Sequence, residues 1–415
     1  MKEMKENSIS VMMYSHDGFG LGHLKRNATI AARFVKENLG SSVLMLTGHS
    51  PVPFFQLPQG VDFIKLPSIV KVNTGTWRPR TLVIGQKVLR ELRSSLIKKT
   101  AQFFKPDILL VDYTPTGVWG ELIPTLEMLK ARKNPPAIVL GLRDILDASS
   151  VTRKLWQDEG VYDCIFKFYD KVFIFGCQEI FDTAIQYGLT GDVGQKVAYC
   201  GYLSSNGTVR SKDEVRRELN VKKEKLIVVT AGGGHDAYPM MQLSLKAFKL
   251  ISKTTSVEAL FITGPLMNAE HRESLEVQAA NLPVRILKWT EDPLSYMNAS
   301  DLIITMAGYN TLMDSIQLRK PVIVIPRKGP SAEQRTRAEL FSWLGIITAV
   351  EPAESLFPSE LAQAIIENLK FSFRSQISLD LNGLDTVVRH MRNLLLEKNR
   401  QRLQSRNLET THAGK

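Results

Sequence analysis

The chain has 415 residues, 44% of them apolar and 23% charged, which is more than one hydrophobic core usually organises, so two domains are expected. No apolar run approaches the roughly 18 residues that cross a bilayer, and the N-terminus MKEMKENSIS lacks a secretory apolar stretch, so the expected location is cytoplasmic. The net charge of +11 favours an anionic partner, while Cys164, Cys177 and Cys200, without CxxC spacing, encode neither a disulfide framework nor a zinc site and are expected as reduced, buried thiols.

In chain order, short apolar runs alternate with longer helical patterns, the signature of parallel sheets wrapped by helices. The first series places strands at 8–15, 41–48, 62–67, 107–113, 137–144, 171–176 and 196–203, with helices over 24–38 and 81–104. The segment NTGTWRPRT (73–81) reads as a loop. A polar stretch, SSNGTVRSK, follows at 204–212 and separates the last strand from the helix candidate DEVRREL. A second series of strands occupies 225–234, 258–264, 284–289, 301–308, 321–326 and 346–350, and beyond about Pro358 the pattern is helical only. The α/β chain thus divides into 1–203, a linker at 204–212, a second domain at 213–370, and a C-terminal helix with a basic tail at 371–415. That tail reads first as a solvated helix end, and peripheral contact with an anionic membrane at its inner surface is the other reading left open.

Ligands of open parallel sheets bind at the carboxyl ends of strands, so the residues after each strand carry the chemistry. After the first strand comes HDGFGLGHLKRN (16–27), where Gly18, Gly20 and Gly22 permit a tight turn before a helix N-terminus. A dinucleotide fingerprint would need an acidic residue at the end of the second strand, which instead ends Thr47-Gly48-His49, and a phosphate loop would need Gly-Lys-Ser/Thr. In the second series, Gly232, Gly233 and Gly234 lie between a strand and a helix and offer backbone N–H groups to a diphosphate. Gly308, Asn310 and Thr311 open another helix, which also carries Asp314; Glu333 and Gln334 start the next helix, and Trp289 and Thr290 follow a strand. Dipole compensation, helix starts and core packing are the ordinary explanations of Asp314, of Glu333 and Gln334, and of Trp289.

Together these loops resemble the GT-B glycosyltransferases, in the branch of the peptidoglycan glucosaminyltransferase that makes lipid II. The Gly22-His23 loop resembles that family's N-terminal Gly-Gly-His loop, and MNASDLIITMAGYNTLMDSIQLRKPVIVIPRKGPSAEQRTRA resembles its nucleotide-sugar segment. SHDGFGLGHLKRN, PDILLVDYTPTG, LGLRDILD and GGGHDAYP further resemble a family of uncharacterised glycosyltransferases. The resemblance implies a GT-B fold, two doubly wound Rossmann-like domains facing a central cleft with C-terminal helices, that transfers a hexose or N-acetylhexosamine from a nucleotide-sugar to a hydroxyl acceptor with inversion. It implies an acceptor-side first domain and a donor-binding second one, with Asp314 on the donor ribose, Gln334 on the sugar, and Trp289 and Thr290 about the base. UDP-N-acetylhexosamine is the first candidate donor. Asp314 stands where the lipid II enzyme has Glu, and Arg335 where it has a second glutamine.

Attack by a hydroxyl requires a base and a stabilised leaving group. His23 is the expected base, oriented by Asp112 at the end of DILLVDY, with His16 as competing histidine and Gly20, Gly22 and Asp144 as neighbouring loop residues. The Asp112 role draws on plant-type GT-B enzymes, since the lipid II enzyme lacks an aspartate there. The alternative roles are a loop cap or a donor-phosphate contact for His23 and a turn cap for Asp112. No essential metal or other cofactor, and no nucleic-acid partner, is expected. The rivals are a nucleotide-sugar epimerase or hydrolase, for which Asp144 and Asp147 are candidate acid/base residues, and a catalytically silent nucleotide-sugar binding protein.

Overall fold

The computed structural model describes residues 8–16, 20–49, 56–73, 76–205, 207–370 and 377–413; Gly18 lies outside them. The chain divides into two compact units, one comprising Met1–Phe19, His23–Leu203 and Asn382–Lys415, the other Gly20–Gly22 and Ser204–Leu381.

The first unit runs β1 (Ser10–Ser15), α1 (Gly22–Glu37), β2 (Ser42–Thr47), β3 (Val61–Lys65), β4 (Ile69–Asn73), β5 (Thr76–Pro79), α2 (Gln86–Phe104), β6 (Ile108–Asp112), α3 (Ile123–Lys130), β7 (Ala137–Arg143), α4 (Ser149–Asp158), α5 (Val161–Phe168), β8 (Lys171–Phe175), α6 (Thr183–Gln186), α7 (Gly191–Gly194) and β9 (Val197–Tyr199). Seven strands form one sheet in the order β3-β2-β1-β6-β7-β8-β9, and every pairing is parallel. A parallel sheet covered on both faces needs continuous apolar strands, which is why β6 is buried at every position and β7 at all but the last. The order reverses between β1 and β6, opening a crevice at their carboxyl ends.

One departure from the sequence reading lies at 69–79, where β4 and β5 pair as an antiparallel hairpin across the segment read as a loop. Its pattern was masked because Trp77 is half-buried between exposed Thr76 and Arg78, and Pro79 ends the strand. The hairpin packs through Ile69 and Trp77 against Leu89 of α2 and Val118. Beneath it, Arg93 is fully buried and forks onto Glu121 at 2.6 and 2.7 Å, while the Tyr14 hydroxyl donates to the same carboxylate at 2.5 Å. Burial, reinforced by Glu121, pushes the Tyr14 phenol well above its ordinary range, so it stays a donor.

The second unit runs α8 (Lys212–Glu218), β10 (Lys225–Thr230), α9 (Tyr238–Ile251), β11 (Val257–Ile262), α10 (Ala269–Ala279), β12 (Val284–Leu287), α11 (Pro293–Ala299), β13 (Leu302–Thr305), α12 (Tyr309–Gln317), β14 (Val322–Val324), α13 (Glu333–Trp343), β15 (Thr348–Ala349) and α14 (Pro358–Lys370). Its sheet, β12-β11-β10-β13-β14-β15, is parallel and reverses between β10 and β13. Both units are therefore doubly wound and Rossmann-like.

The last helix, α15 (Gly383–Ala413), belongs to the first unit. Gly383 donates to the Tyr202 carbonyl at 3.1 Å, and a Cβ there would press on the Gly201 and Tyr202 carbonyls at 2.7 Å, so only glycine fits this approach. Farther along, Lys398 bonds the Pro136 carbonyl and pairs with Asp170. Among the cysteines, Cys164 and Cys200 are buried but Cys177 is only half-buried, a correction to the expectation of three enclosed thiols. Burial pushes the Cys164 thiol up to about 12.

Candidate active site

In the first unit the crevice between β1 and β6 gathers the candidate catalytic residues. Asp112 is the last residue of β6, and His16 directly follows β1. His23 sits in the first turn of α1, whose start carries no acidic residue. Its Nδ1 lies 2.6 Å from Asp112 Oδ2. A carboxylate only accepts, so the Nδ1 proton points to Asp112, and in the neutral ring the lone pair is then on Nε2. His23 retains 13% side-chain exposure, while Asp112 is almost wholly enclosed. His16 is more buried than His23, with Nδ1 3.2 Å from Thr114 Oγ1 and its ring 4.7 Å from that of His23.

Sequence reading missed Arg26, one helical turn after His23. It is buried, and its guanidinium bonds both Asp112 oxygens, Nη2 at 2.7 and 2.8 Å and Nε at 3.1 Å. The i, i+3 spacing of His23 and Arg26 on one helix was the available signal, but which carboxylate they share is a matter of strand order. Burial alone would raise the Asp112 carboxyl; the Arg26 guanidinium and then His23 outweigh it and hold Asp112 well below the usual carboxylate range. Arg26 Nη2 also stands 2.9 Å from His23 Nδ1, so a protonated His23 would meet a neighbouring cation.

The adjoining residue, Tyr113, takes φ 70°, a left-handed conformation that a bulky side chain adopts at a cost of about 1–3 kcal/mol. Its backbone N–H still reaches the Gly141 carbonyl at 2.9 Å, so the turn is fixed while Asp112 faces the crevice. Tyr113 and Trp77 meet the histidines edge-on: His23 to Tyr113 at 5.4 Å and His16 to Trp77 at 5.0 Å between centroids, with Arg143 over Tyr113 at 5.3 Å. Asp144, expected at a ligand loop, is instead fully buried, with Oδ1 accepting the Ile145 N–H at 2.7 Å; it stabilises the turn after β7. Asp147 likewise bonds the Ala148 N–H. Gly20 has φ 72°, consistent with a tight turn, and Gly22 begins α1.

In the second unit the loops after β10, β11 and β13 converge at the reversal point. Gly232 and Gly234 have φ 64° and 83°. A Cβ on Gly232 would lie 2.9 Å from Thr311 Oγ1, and one on Gly234 would run into the Thr263 carbonyl. Glycine is thus required for the two loops to touch. Gly233 O accepts from Leu266 N at 2.9 Å. Gly308 is the N-cap of α12 and, having no side chain, leaves the helix start without a side-chain cap of its own.

Asp314 lies in the second turn of α12, almost fully buried, with Oδ1 accepting the Ser205 N–H at 2.9 Å. Glu333 pairs with the fully buried Arg337 at 2.9 Å, which also donates to the Ala307 carbonyl at 2.8 Å. Gln334 Oε1 accepts the Arg327 N–H at 3.2 Å, and the Arg327 guanidinium lies 3.2 Å from Asp236 in the glycine loop. Arg337, fixing the loop after β13 to α13, is a second residue the sequence reading missed. Trp289 follows β12 and is half-buried; Thr290 Oγ1 accepts the Asp292 N–H at 3.1 Å. Among the described residues, no group of three or more His, Cys, Asp or Glu is arranged to hold a metal ion, and no helix is long and apolar enough to cross a membrane.

Comparison with known proteins bears on this geometry. Residues 226–377 match the glycosyltransferase family 28 C-terminal domain. An uncharacterised glycosyltransferase of Methanopyrus kandleri is 28% identical over 43% of this chain, and the chain spans about half, 48%, of that relative's length. The UDP-N-acetylglucosamine--N-acetylmuramyl-(pentapeptide) pyrophosphoryl-undecaprenol N-acetylglucosamine transferase of Bacteroides thetaiotaomicron is 21% identical over 77% of this chain and 78% of its own. Among solved structures, Acinetobacter baumannii MurG superposes with TM-score 0.57 at 14% identity over 93% of this chain and 99% of its own. A putative UDP-N-acetylglucosamine 2-epimerase from Listeria monocytogenes gives 0.62 at 14% identity over 94% and 97%. At such identities the structures establish the fold.

Proposed function

We propose, on the premise that the chain is a GT-B fold glycosyltransferase related to MurG-like transferases and to uncharacterised archaeal glycosyltransferases, that it moves an N-acetylhexosamine or hexose from a UDP-sugar to a hydroxyl acceptor with inversion. The observation that carries this reading is the 2.6 Å approach of His23 to Asp112 at the β1/β6 reversal, with Nε2 left to act as base. In the reaction His23 Nε2 takes the acceptor proton, the acceptor oxygen bonds the anomeric carbon, and the carbon–phosphate oxygen bond breaks with its electron pair leaving on the diphosphate. Backbone N–H groups at Gly232–Gly234 and the first turn of α12 receive that charge. Trp289 and Thr290 hold the base, Asp314 the ribose, and Glu333 and Gln334 the sugar.

Catalysis by backbone dipoles and fixed cations predicts turnover that persists in excess EDTA. An abrupt loss restored by Mg²⁺ would refute that step. The reading as a whole is tested by incubating the protein with labelled UDP-sugars, with and without a panel of hydroxyl acceptors. Label should enter an acceptor. Epimer or free sugar formed quantitatively from the donor alone would replace the transferase with the epimerase or hydrolase, a fold the Listeria protein shares.

A further inference from the structure

Asp112, the last residue of β6, is held from two sides. Arg26 meets its Oδ1 through Nε at 3.1 Å and Nη2 at 2.7 Å, and its Oδ2 through Nη2 at 2.8 Å. His23 Nδ1 meets Oδ2 at 2.6 Å. A bare Nδ1 would set two acceptors against each other at that distance, so the ring carries its proton there. The 2.9 Å approach of Arg26 Nη2 to His23 Nδ1 is then a meeting of two donors that share one carboxylate.

A buried carboxylate beside an imidazole, with nothing else to balance it, favours the doubly protonated ring. An imidazolium has no lone pair, so a dyad of that kind has already spent its base near neutral pH. Here the balance is supplied. The side chains of Arg26 and Asp112 are each 2% exposed, so solvent screens the pair little and the two charges cancel within the core. The guanidinium carbon lies 5.8 Å from the Phe175 ring of β8, an apolar neighbour. The other groups beside His23 add no negative charge near neutral pH: the His16 ring at 4.7 Å, the Tyr113 ring at 5.4 Å, and Arg143, which lies over Tyr113 at 5.3 Å. A proton gained at Nε2 would therefore place a second cation beside Arg26 with one carboxylate between them.

We propose that Arg26 is a positioning residue: by neutralising Asp112 and fixing both of its oxygens, it keeps His23 an uncharged ring with the proton on Nδ1 and the lone pair on Nε2. Asp112 aims the ring, and Arg26 prevents that same carboxylate from charging it. That this ring serves as the base rests on the transferase reading; its charge and tautomer do not.

The test follows the histidine ring nitrogens of full-length, ¹⁵N-labelled protein by NMR across a pH series, with His23 assigned by the signals lost in His23→Ala. In the wild type His23 is expected as a neutral ring near neutral pH, protonated at Nδ1. Arg26→Gln keeps a donor toward Asp112 but removes the charge, and the His23 titration midpoint is expected to rise by about one pH unit or more. Arg26→Lys keeps the charge without the fork and stays nearer the wild-type midpoint. Thermal unfolding establishes that each variant is folded. Should Arg26→Gln fail to fold, the wild-type spectrum decides, since a doubly protonated ring near neutral pH, or one protonated at Nε2 alone, would overturn the proposal. So would an unchanged midpoint in folded Arg26→Gln. With an acceptor in hand, the acid limb of kcat should move upward with the NMR midpoint while the donor KM holds. Titrations that behave as expected in a protein that transfers no sugar would remove the transferase and leave this inference standing; working transfer with an unchanged midpoint would do the reverse.

Discussion

The first unit contains two buried arginine–carboxylate forks that differ in their third partner. Under α2, Arg93 and Glu121 are joined by Tyr14, and all three are enclosed. At the carboxyl end of β6, Arg26 and Asp112 are joined by His23, which keeps a side open to the crevice. A phenol held above its ordinary range by burial and a neighbouring carboxylate has no proton to exchange near neutral pH, whereas an imidazole does. Similar ion-pair chemistry thus closes a core in one place and, in the mechanism proposed above, serves the reaction in the other.

The comparison is broken or sharpened most strongly at His23. His23→Ala is expected to reduce turnover roughly 10²–10⁴-fold with donor affinity and unfolding temperature retained. Steady-state kinetics with calorimetric donor titration checks this, and near-normal turnover would return the base to His16. Arg93→Leu should do the reverse, costing about 3–5 kcal/mol of stability by leaving Glu121 buried and unpaired. In urea unfolding, the combined Arg93→Leu/Glu121→Leu/Tyr14→Phe variant should recover most of that loss. If it does not, the fork is more than a satisfied core pair.

In the second unit, Asp314→Ala should weaken donor binding by about 1.5–3 kcal/mol, the worth of a hydrogen bond to a charged group. Because Asp314 also accepts from Ser205, Asp314→Asn is the control: calorimetry showing full donor affinity with Asn would reduce Asp314 to a loop anchor. The smallest effect is on acid stability. Asp112 is held below its ordinary range in the folded state, so the stability it contributes is present above the unfolded carboxylate range, near pH 4, and is lost as pH falls through the native value. The stability gap between wild type and Asp112→Asn should therefore be level from pH 7 to 5 and narrow only below about pH 4. A gap that changes between pH 7 and 5 would overturn this assignment to the Asp112 carboxylate.

Much of this protein was legible in its sequence. Thirteen strands among the described residues coincide with apolar runs, most plainly the central ones such as β6 and β7, which are covered on both faces of a parallel sheet, whereas the edge strands β3 and β12 keep exposed positions. The glycine loops were visible for a related reason: φ near 64° and 83° at Gly232 and Gly234, and the absence of room for a Cβ, leave one residue type possible. The 69–79 hairpin was not legible, since two short strands with a proline and alternating exposure carry little pattern.

Residue types and local order, then, were decided by the sequence: two doubly wound units, glycines at strand ends, and His23 beside a helix start. Strand order decided the rest. Only the insertion of β6 beside β1 sets Asp112, 89 positions away, against His23, and only that placement makes Arg26 its counter-ion. Likewise Asp144 and Asp112 both end or follow apolar strands, yet one accepts from its own turn and the other is shared by a guanidinium and an imidazole. The same holds for α15, which helical periodicity cannot assign to either unit and which joins the first through Gly383 and Lys398. Hydrophobic pattern is a one-dimensional property of the chain, whereas the pairing of buried charges depends on which strands become neighbours, and that is settled only when the sheet closes its order.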